Sequence, residues 1–315
     1  MEVPYGEYRF RSELEHDAVL PRFKGSTIRG VFGTALRRVV CALKHQECAR
    51  CLLREKCLFN RAFVTPGDGA QAQQPAAPHP FVIEPPETHR THFEKGEPLD
   101  VVLMLFGWAH EFLPYFVYAF KEMGTIGIGR KIDGIRGAFR LKAITCAHGT
   151  VYDAASDRLK TLPPAVLKLE EPSPECEQVR HVTVSLQTPL RLKHNNRFHS
   201  QLEFHILVRA ALRRITALHA HYGTGELDLD YRGLVSRAMQ VETAGSKIDW
   251  VDWRRYSNRR QQEMLMGGLM GEVTYVGRIN EFLPLIRFCE KVHLGKATTF
   301  GLGKIRVVEE DAGGW

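Results

Sequence analysis

Three short patterns each occur twice in this chain, and nothing else in it limits the possible folds as sharply. Gly107-x3-Glu111-Phe112-Leu113-Pro114 returns as Gly277-x3-Glu281-Phe282-Leu283-Pro284, and Gly127-Ile128-Gly129-Arg130 returns as Gly301-Leu302-Gly303-Lys304. Ala35-Leu36-Arg37-Arg38 likewise returns as Ala211-Leu212-Arg213-Arg214, so the three offsets are 170, 174 and 176 residues. Chance could produce any one of these matches; three in the same order at nearly one spacing argue for a duplicated module. A chain of 315 residues has room for two such modules, each with its own core.

The pattern of apolar residues says what each module contains. Tyr5 to Leu14 alternates like a strand, Leu20 to Gly25 reads as a loop, and Ser26 is placed to cap a helix running to about Val40. That helix would bury Ile28, Val31, Phe32, Ala35, Leu36 and Val39; its other face carries Arg29, Arg37 and Arg38, a solvated face or a binding one. Strands over 81–84 and 99–106, a helix of about a dozen residues ending at Gly124 and a strand near 138–145 complete the first half. The second half repeats the order with a strand at 182–186, a helix from about Ser200 to His221 and the final strand after Gly303.

A β-α-β-β-α-β order is that of a ferredoxin-like module, so the expected class is α+β with two RRM-like, ferredoxin-like domains in tandem. The N-terminal domain is expected over 1–162, with a cysteine-rich insertion at 41–57 and a flexible Ala/Gln/Pro-rich loop at 67–80. The C-terminal domain is expected over 175–315 with a glycine-rich loop at 295–303, and the Pro-, Glu- and Ser-containing segment 163–174 reads as the linker.

Charge then narrows the partner. The formal net charge is +7 and the sequence pI is near 9.0, which favours a polyanion. The positive residues cluster: six Lys or Arg against one acidic residue, Glu203, between Arg191 and Arg214, and four arginines with three aromatics over 249–260. Arginine interleaved with aromatic rings suits RNA, with guanidinium groups on phosphates and rings under exposed bases; the alternative is a core tryptophan pair beside a solvated edge. Gly295-Lys296-Ala297-Thr298-Thr299-Phe300-Gly301-Leu302-Gly303-Lys304 combines three glycines with two lysines ahead of a strand. It is either a phosphate-contacting loop or a tight turn made for conformational reasons, and it is not a Walker loop, which would enter a helix.

Seven cysteines are an odd number, and four of them fall at Cys41-x6-Cys48-x2-Cys51-x5-Cys57. Four thiols so close match a tetrahedral thiolate site: structural zinc first, an iron–sulfur cluster less readily because the spacing is not a ferredoxin run, with His45 able to replace one cysteine. The alternative is four reduced thiols in a loop. No apolar run is long enough to span a membrane and the N-terminus lacks a signal-peptide pattern, so a cytoplasmic location is expected.

With these residues assembled, the chain resembles the CRISPR repeat-cleaving endoribonucleases of the RAMP superfamily, the Cas6 family. The resemblance is carried by Leu20-Pro21-x-x-Lys24-Gly25-Ser26-x-x-Arg29-Gly30-x-x-Gly33, the four-cysteine segment, Thr188-Pro189-Leu190-Arg191-Leu192-Lys193, Arg255-Tyr256-Ser257-x-Arg259, and His293-Leu294-Gly295-Lys296-x-Thr298-x-Phe300-Gly301-Leu302-Gly303. It implies binding of CRISPR repeat RNA and one cut per repeat by metal-independent attack of a 2′-hydroxyl, leaving a 2′,3′-cyclic phosphate and a 5′-hydroxyl. Other Cas effector subunits are implied as possible partners.

The RNA would meet Lys24, Arg29, Arg191, Lys193, Arg254, Arg255, Arg259, Gly301, Gly303 and Lys304. Many relatives carry a histidine on or just after the first helix, and the helix over 26–40 has none. The histidines that could serve are His16, His45, His194, His199 and His293. The favoured set is His293 as acid or base, Tyr256 as its partner and Lys296 as phosphate stabiliser, with His199 in reserve. Two other readings stand beside it: an RNA-binding effector subunit that has lost catalysis, and, last, a redox or metal-dependent site at the cysteines.

Overall fold

The computed structural model describes residues 1–44, 46–64, 77–172, 179–194, 197–198, 201–257 and 262–310, with the backbone alone at 179–180, 194, 197–198, 254–257, 262–265 and 310. Contacts divide the chain into a unit of Pro4–Val166 and a unit of Leu167–Trp315 together with Met1–Val3. Both are mixed α/β units built on antiparallel sheets.

In the first unit, β1 (Glu2–Leu14) is the central strand. From Glu7 onward it alternates strictly, burying Tyr8, Phe10, Ser12 and Leu14 and exposing the charged residues between them. It pairs with β3 (Val101–Phe106) on one side and with β4 (Phe139–Cys146) on the other; β2 (Phe81–Glu84) lies outside β3, and β5 (Gly149–Asp153) extends the sheet beyond β4. All residues of β2 and β3 are buried, so apart from the terminal Glu84 these strands read as apolar runs rather than alternations. Leaving aside β5, the order β4-β1-β3-β2 is fourth, first, third, second in the chain.

Helix α1 (Gly25–Val40) and, beyond a short α2 (Leu58–Phe63), helix α3 (Leu113–Ile126) pack together, with Phe32 stacked on Phe116 and Phe120 4.6 Å from Phe10. Two expected helix ends move. Ser26 does not cap α1: the helix starts at Gly25, Lys24 holds the N-cap position without a side-chain cap bond, and Ser26 already lies in the first turn. Nor does α3 stop at Gly124. That glycine lets the helix touch β4, since a Cβ there would lie 2.1 Å from the Phe139 carbonyl oxygen; the positive φ that ends the helix belongs to Gly127, at 74°.

The second unit has the order β7-β8-β6-β9, where β6 is Val179–Leu190, β7 Glu242–Ser257, β8 Gln262–Arg278 and β9 Ile305–Glu310. It too is fourth, first, third, second when read from β9. Helices α4 (Phe204–Tyr222) and α6 (Leu283–Val292) follow the first and third strands, and a short helix α5 (Tyr231–Ala238), not anticipated from periodicity, leads into β7. Phe204 meets Tyr275 and Phe282 edge to face at 5.0 and 5.2 Å, and the Tyr275 hydroxyl donates to the Leu202 carbonyl at 2.7 Å.

The described part of the basic and aromatic stretch, 249–257, forms the outer half of β7 in a hairpin with β8. β7 pairs with β8 from Glu242–Val276 out to Ser257–Gln262, whereas β6 stops pairing with β8 at Leu190–Leu269. The hairpin therefore runs on past the end of β6. At the opposite edge, β9 is guarded: the Val307 amide donates to Glu290 Oε1 at 2.7 Å, and Arg287 ion-pairs with Glu309. Among the described residues, no helix is long and apolar enough to cross a membrane.

Candidate nucleic-acid interface

The site is built where the end of β6 meets the glycine-rich loop. Helix α6 ends at Val292, whose carbonyl accepts from Arg214 Nε at 3.1 Å and Nη2 at 2.7 Å. Arg214 thus holds the helix terminus from α4, and burial pushes its guanidinium down to about 10. The chain then turns at His293, a non-glycine residue at φ 57°. Ala297 is a second such residue, and Gly295, Gly301 and Gly303 have φ of 78°, 81° and 75°.

Hydrogen bonds zip this loop to the segment 187–191. Lys296 N–H donates to the Arg191 carbonyl at 3.0 Å, Gly303 N–H to that of Pro189 at 3.2 Å, and the Gln187 and Thr188 amides to that of Lys304 at 3.0 and 3.3 Å. The Thr188 hydroxyl is the side-chain member of the set: Oγ1 donates to the Gly301 carbonyl at 2.8 Å and accepts from Lys304 N–H at 2.9 Å. From the other side, β8 reaches the same segment at Gly268, where a Cβ would lie 2.9 Å from the Leu190 oxygen.

This clamping gathers charge. Lys296 is exposed; local desolvation and then the positive fields of Lys193 and Arg191 hold its ammonium below the usual lysine value. Arg191 is half-buried and also held low, by desolvation, with Asp252 of β7 acting the other way. An anion beside Lys296 would relieve the repulsion that its two cationic neighbours exert on it.

Other expected site residues fall elsewhere. His293 is 0% exposed, and its Nδ1 donates to the Leu302 carbonyl at 3.0 Å. A buried ring so engaged cannot touch a phosphodiester at the surface, so the acid–base role expected of His293 gives way to a structural one. Gly301 and Gly303 are buried as well: a Cβ on Gly303 would stand 1.8 Å from the Leu294 oxygen, and the part of the loop that faces outward is Gly295–Lys296.

Lys24 is 1% exposed and donates to the carbonyls of Arg22 and Thr88 while resting 5.4 Å from the Phe93 ring centroid. Desolvation, then Arg90, pushes its ammonium down to about 8; it braces the loop before α1 instead of presenting charge to a ligand. Arg29 lies over Phe63 at 5.0 Å. Tyr256, Arg254 and Arg255 sit on the β7 backbone in the outer half of the hairpin, while His199 and Arg259 lie outside the described residues.

The cysteines are half-buried and unbridged at Cys41, Cys48, Cys51 and Cys57. Among the described residues, which exclude His45, no three or more His, Cys, Asp or Glu side chains gather to hold a metal ion. As arranged here, the four thiols do not form the tetrahedral site that their spacing suggests. Of the 67–80 stretch, residues 67–76 lie outside the described residues. Thr188 and Arg214 were not singled out by sequence reasoning as site residues. A threonine ahead of a proline and one arginine among three on a helix carry no mark of which will bond to the loop.

Comparison with known proteins places this architecture. Residues 184–305 match the family model "CRISPR-associated endoribonuclease Cas6", and residues 3–164 match an N-terminal domain model, AF_1859_N. An uncharacterized protein of Archaeoglobus fulgidus is 24% identical over 292 residues, covering 91% of this chain and 92% of the relative. Among solved structures, a partial Cas6-RT-Cas1–Cas2 complex superposes with a TM-score of 0.58 at 13% identity over 98% of this chain, which spans 47% of that one. A Cas6 product complex gives 0.53 at 14% identity, and Thermus thermophilus Cas6 0.51 at 15%, each covering 97% of this chain and 99% of the other. At such identities the likeness is one of fold, and it extends over both units. The second unit thus matches the Cas6 family model, and the fold of both units is that of solved Cas6 structures.

Proposed function

We propose that the protein binds CRISPR repeat RNA and cuts it once per repeat, releasing mature crRNA. The observation that carries the reading is the cluster of Arg191, Lys193 and Lys296 at the rigidly zipped loop of a unit that matches the Cas6 family model. The two β-α-β-β-α-β units are read as tandem ferredoxin-like modules, which their strand orders support. The protein is placed in the cytoplasm, with RNA and other Cas proteins as partners; a product complex and a Cas6-RT-Cas1–Cas2 assembly exist among its structural neighbours.

The chemistry is metal-independent transesterification. A base takes the proton of the ribose 2′-hydroxyl, the oxygen bonds to the adjacent phosphorus, the bond to the 5′-oxygen breaks, and an acid protonates the leaving oxygen. Lys296 is the cation that offsets charge gathering on the phosphoryl oxygens. Tyr256 and His199 remain the candidates for proton transfer, and Arg29, Arg191, Lys193, Arg254, Arg255, Arg259 and Lys304 those for holding the strand.

Labelled repeat RNA incubated with the full chain in EDTA should yield a 2′,3′-cyclic phosphate and a 5′-hydroxyl, and a 2′-deoxy residue at the scissile position should abolish the cut. Tight binding without products would instead establish the non-cleaving subunit, a reading favoured by the burial of His293. Failure to bind the repeat would sink both.

A structural zinc on Cys41, Cys48, Cys51 and Cys57 is retained in this reading on the strength of their spacing alone. Elemental analysis of the purified chain should find about one zinc per chain, lost in a Cys48→Ser/Cys51→Ser variant, with cleavage surviving. Zinc-free protein of unchanged stability would remove the metal from the account.

A further inference from the structure

We propose that Thr188 is a positioning residue for the RNA-cleaving reaction, resting on the reading above. Its hydroxyl fixes the cationic face of the glycine-rich loop. Both capacities of the hydroxyl are spent on the two ends of one turn, the Gly301 carbonyl at 2.8 Å and the Lys304 amide at 2.9 Å. The turn between them contains Gly301 and Gly303 at positive φ, with the buried Leu302 between the two glycines. The Thr188 amide returns to the Lys304 carbonyl, so one residue meets the turn with both backbone and side chain.

The geometry connects this bond to the cations. Three residues beyond Thr188, the Arg191 carbonyl accepts from the Lys296 amide, and Arg191 and Lys193 are the groups whose fields act on Lys296. Thr188 and Lys296 therefore bind the two ends of the same clamp. Replacing the hydroxyl by a methyl of the same shape leaves a buried carbonyl and an amide without their partner, and the loop must move to satisfy them. A shift of even ~1 Å in a phosphate-stabilising group is enough to cost on the order of 100-fold in rate. Serine keeps both bonds and loses only a methyl.

The test compares Thr188→Val, Thr188→Ser and a control, Thr183→Val, which removes a hydroxyl bonded across the same sheet to Thr274 at 2.7 Å but away from the loop. Single-turnover cleavage at saturating protein, repeat affinity, melting and hydrogen exchange of the Lys304 amide are read on each. The expected result is a cleavage rate at least about tenfold lower in Thr188→Val, with faster Lys304 exchange, and both restored by serine. The control should melt lower yet cleave at the parent rate.

Parent-like cleavage and exchange in Thr188→Val overturn the proposal, as does an equal loss of rate in Thr183→Val, which would mean general destabilisation. If Thr188→Val does not fold, serine must still show parent-like Lys304 exchange and cleavage, and its failure in either overturns the proposal. A parent protein that binds repeat RNA without cutting it removes the reaction, and this inference with it, whatever the exchange data show.

Discussion

Gly303→Ala should collapse the loop while the same substitution at Gly225 should cost no more than its backbone strain. Both glycines have φ of 75°, so an alanine at either meets the strain of a left-handed conformation, about 1–2 kcal/mol. The surroundings differ. At Gly225 nothing stands within 4 Å of the added carbon, whereas at Gly303 it would fall 1.8 Å from the Leu294 carbonyl oxygen, with the Leu294 carbon and nitrogen at 2.8 and 3.0 Å.

Leu294 is buried, and its amide donates to the Gly303 carbonyl at 2.9 Å, so backbone must move and a bond must break. A destabilisation of about 3 kcal/mol or more is expected, a fall of roughly 6–12 °C in the melting midpoint of a unit this size. Thermal melts of the two variants decide it, and equal midpoints would show that the loop has slack which these contacts do not allow.

The second large effect is on binding. Lys193→Ala/Lys296→Ala removes two of the three clustered cations without touching the zip, since the Lys296 bond to Arg191 is made by its backbone amide. Repeat affinity should fall roughly 10- to 100-fold near 0.1 M salt, and the slope of log affinity against log salt should become less steep by about 0.7 for each lysine that meets a phosphate of a single strand. Lys168→Ala should leave both unchanged, because that ammonium is already held by Glu2 at 2.7 Å. A double variant with the parent's salt slope would show that the RNA backbone passes elsewhere.

Much of the architecture was legible because the duplication and the apolar periods reported the same thing. β2 occupies 81–84 as expected, and β4 and α1 are displaced by only a residue or so, since burial of a sheet face or helix stripe imposes its period directly on the sequence. The hairpin was not legible. Residues 249–252 are all exposed, so no burial imposes an alternation there, and arginine with tryptophan reads as a binding loop as readily as a strand.

The site was legible in location and not in roles. Five left-handed residues between 293 and 303 include three glycines, which is why the loop stood out. Whether a given histidine or lysine faces solvent depends on how the chain closes around it. His293 is turned inward to Leu302, and Lys24 is enclosed by Thr88 and Phe93. Composition and spacing contain no term for such enclosure.

The loop's positive φ angles and its zip to β6 also have a kinetic meaning. A surface whose shape is set at folding does not have to be ordered again when a ligand arrives, so the conformational entropy has already been spent. An RNA phosphate arriving there would meet a finished seat, and encounter rates should follow charge and salt. Discrimination between one repeat and another would then appear in how long the RNA stays, through contacts made outside the loop.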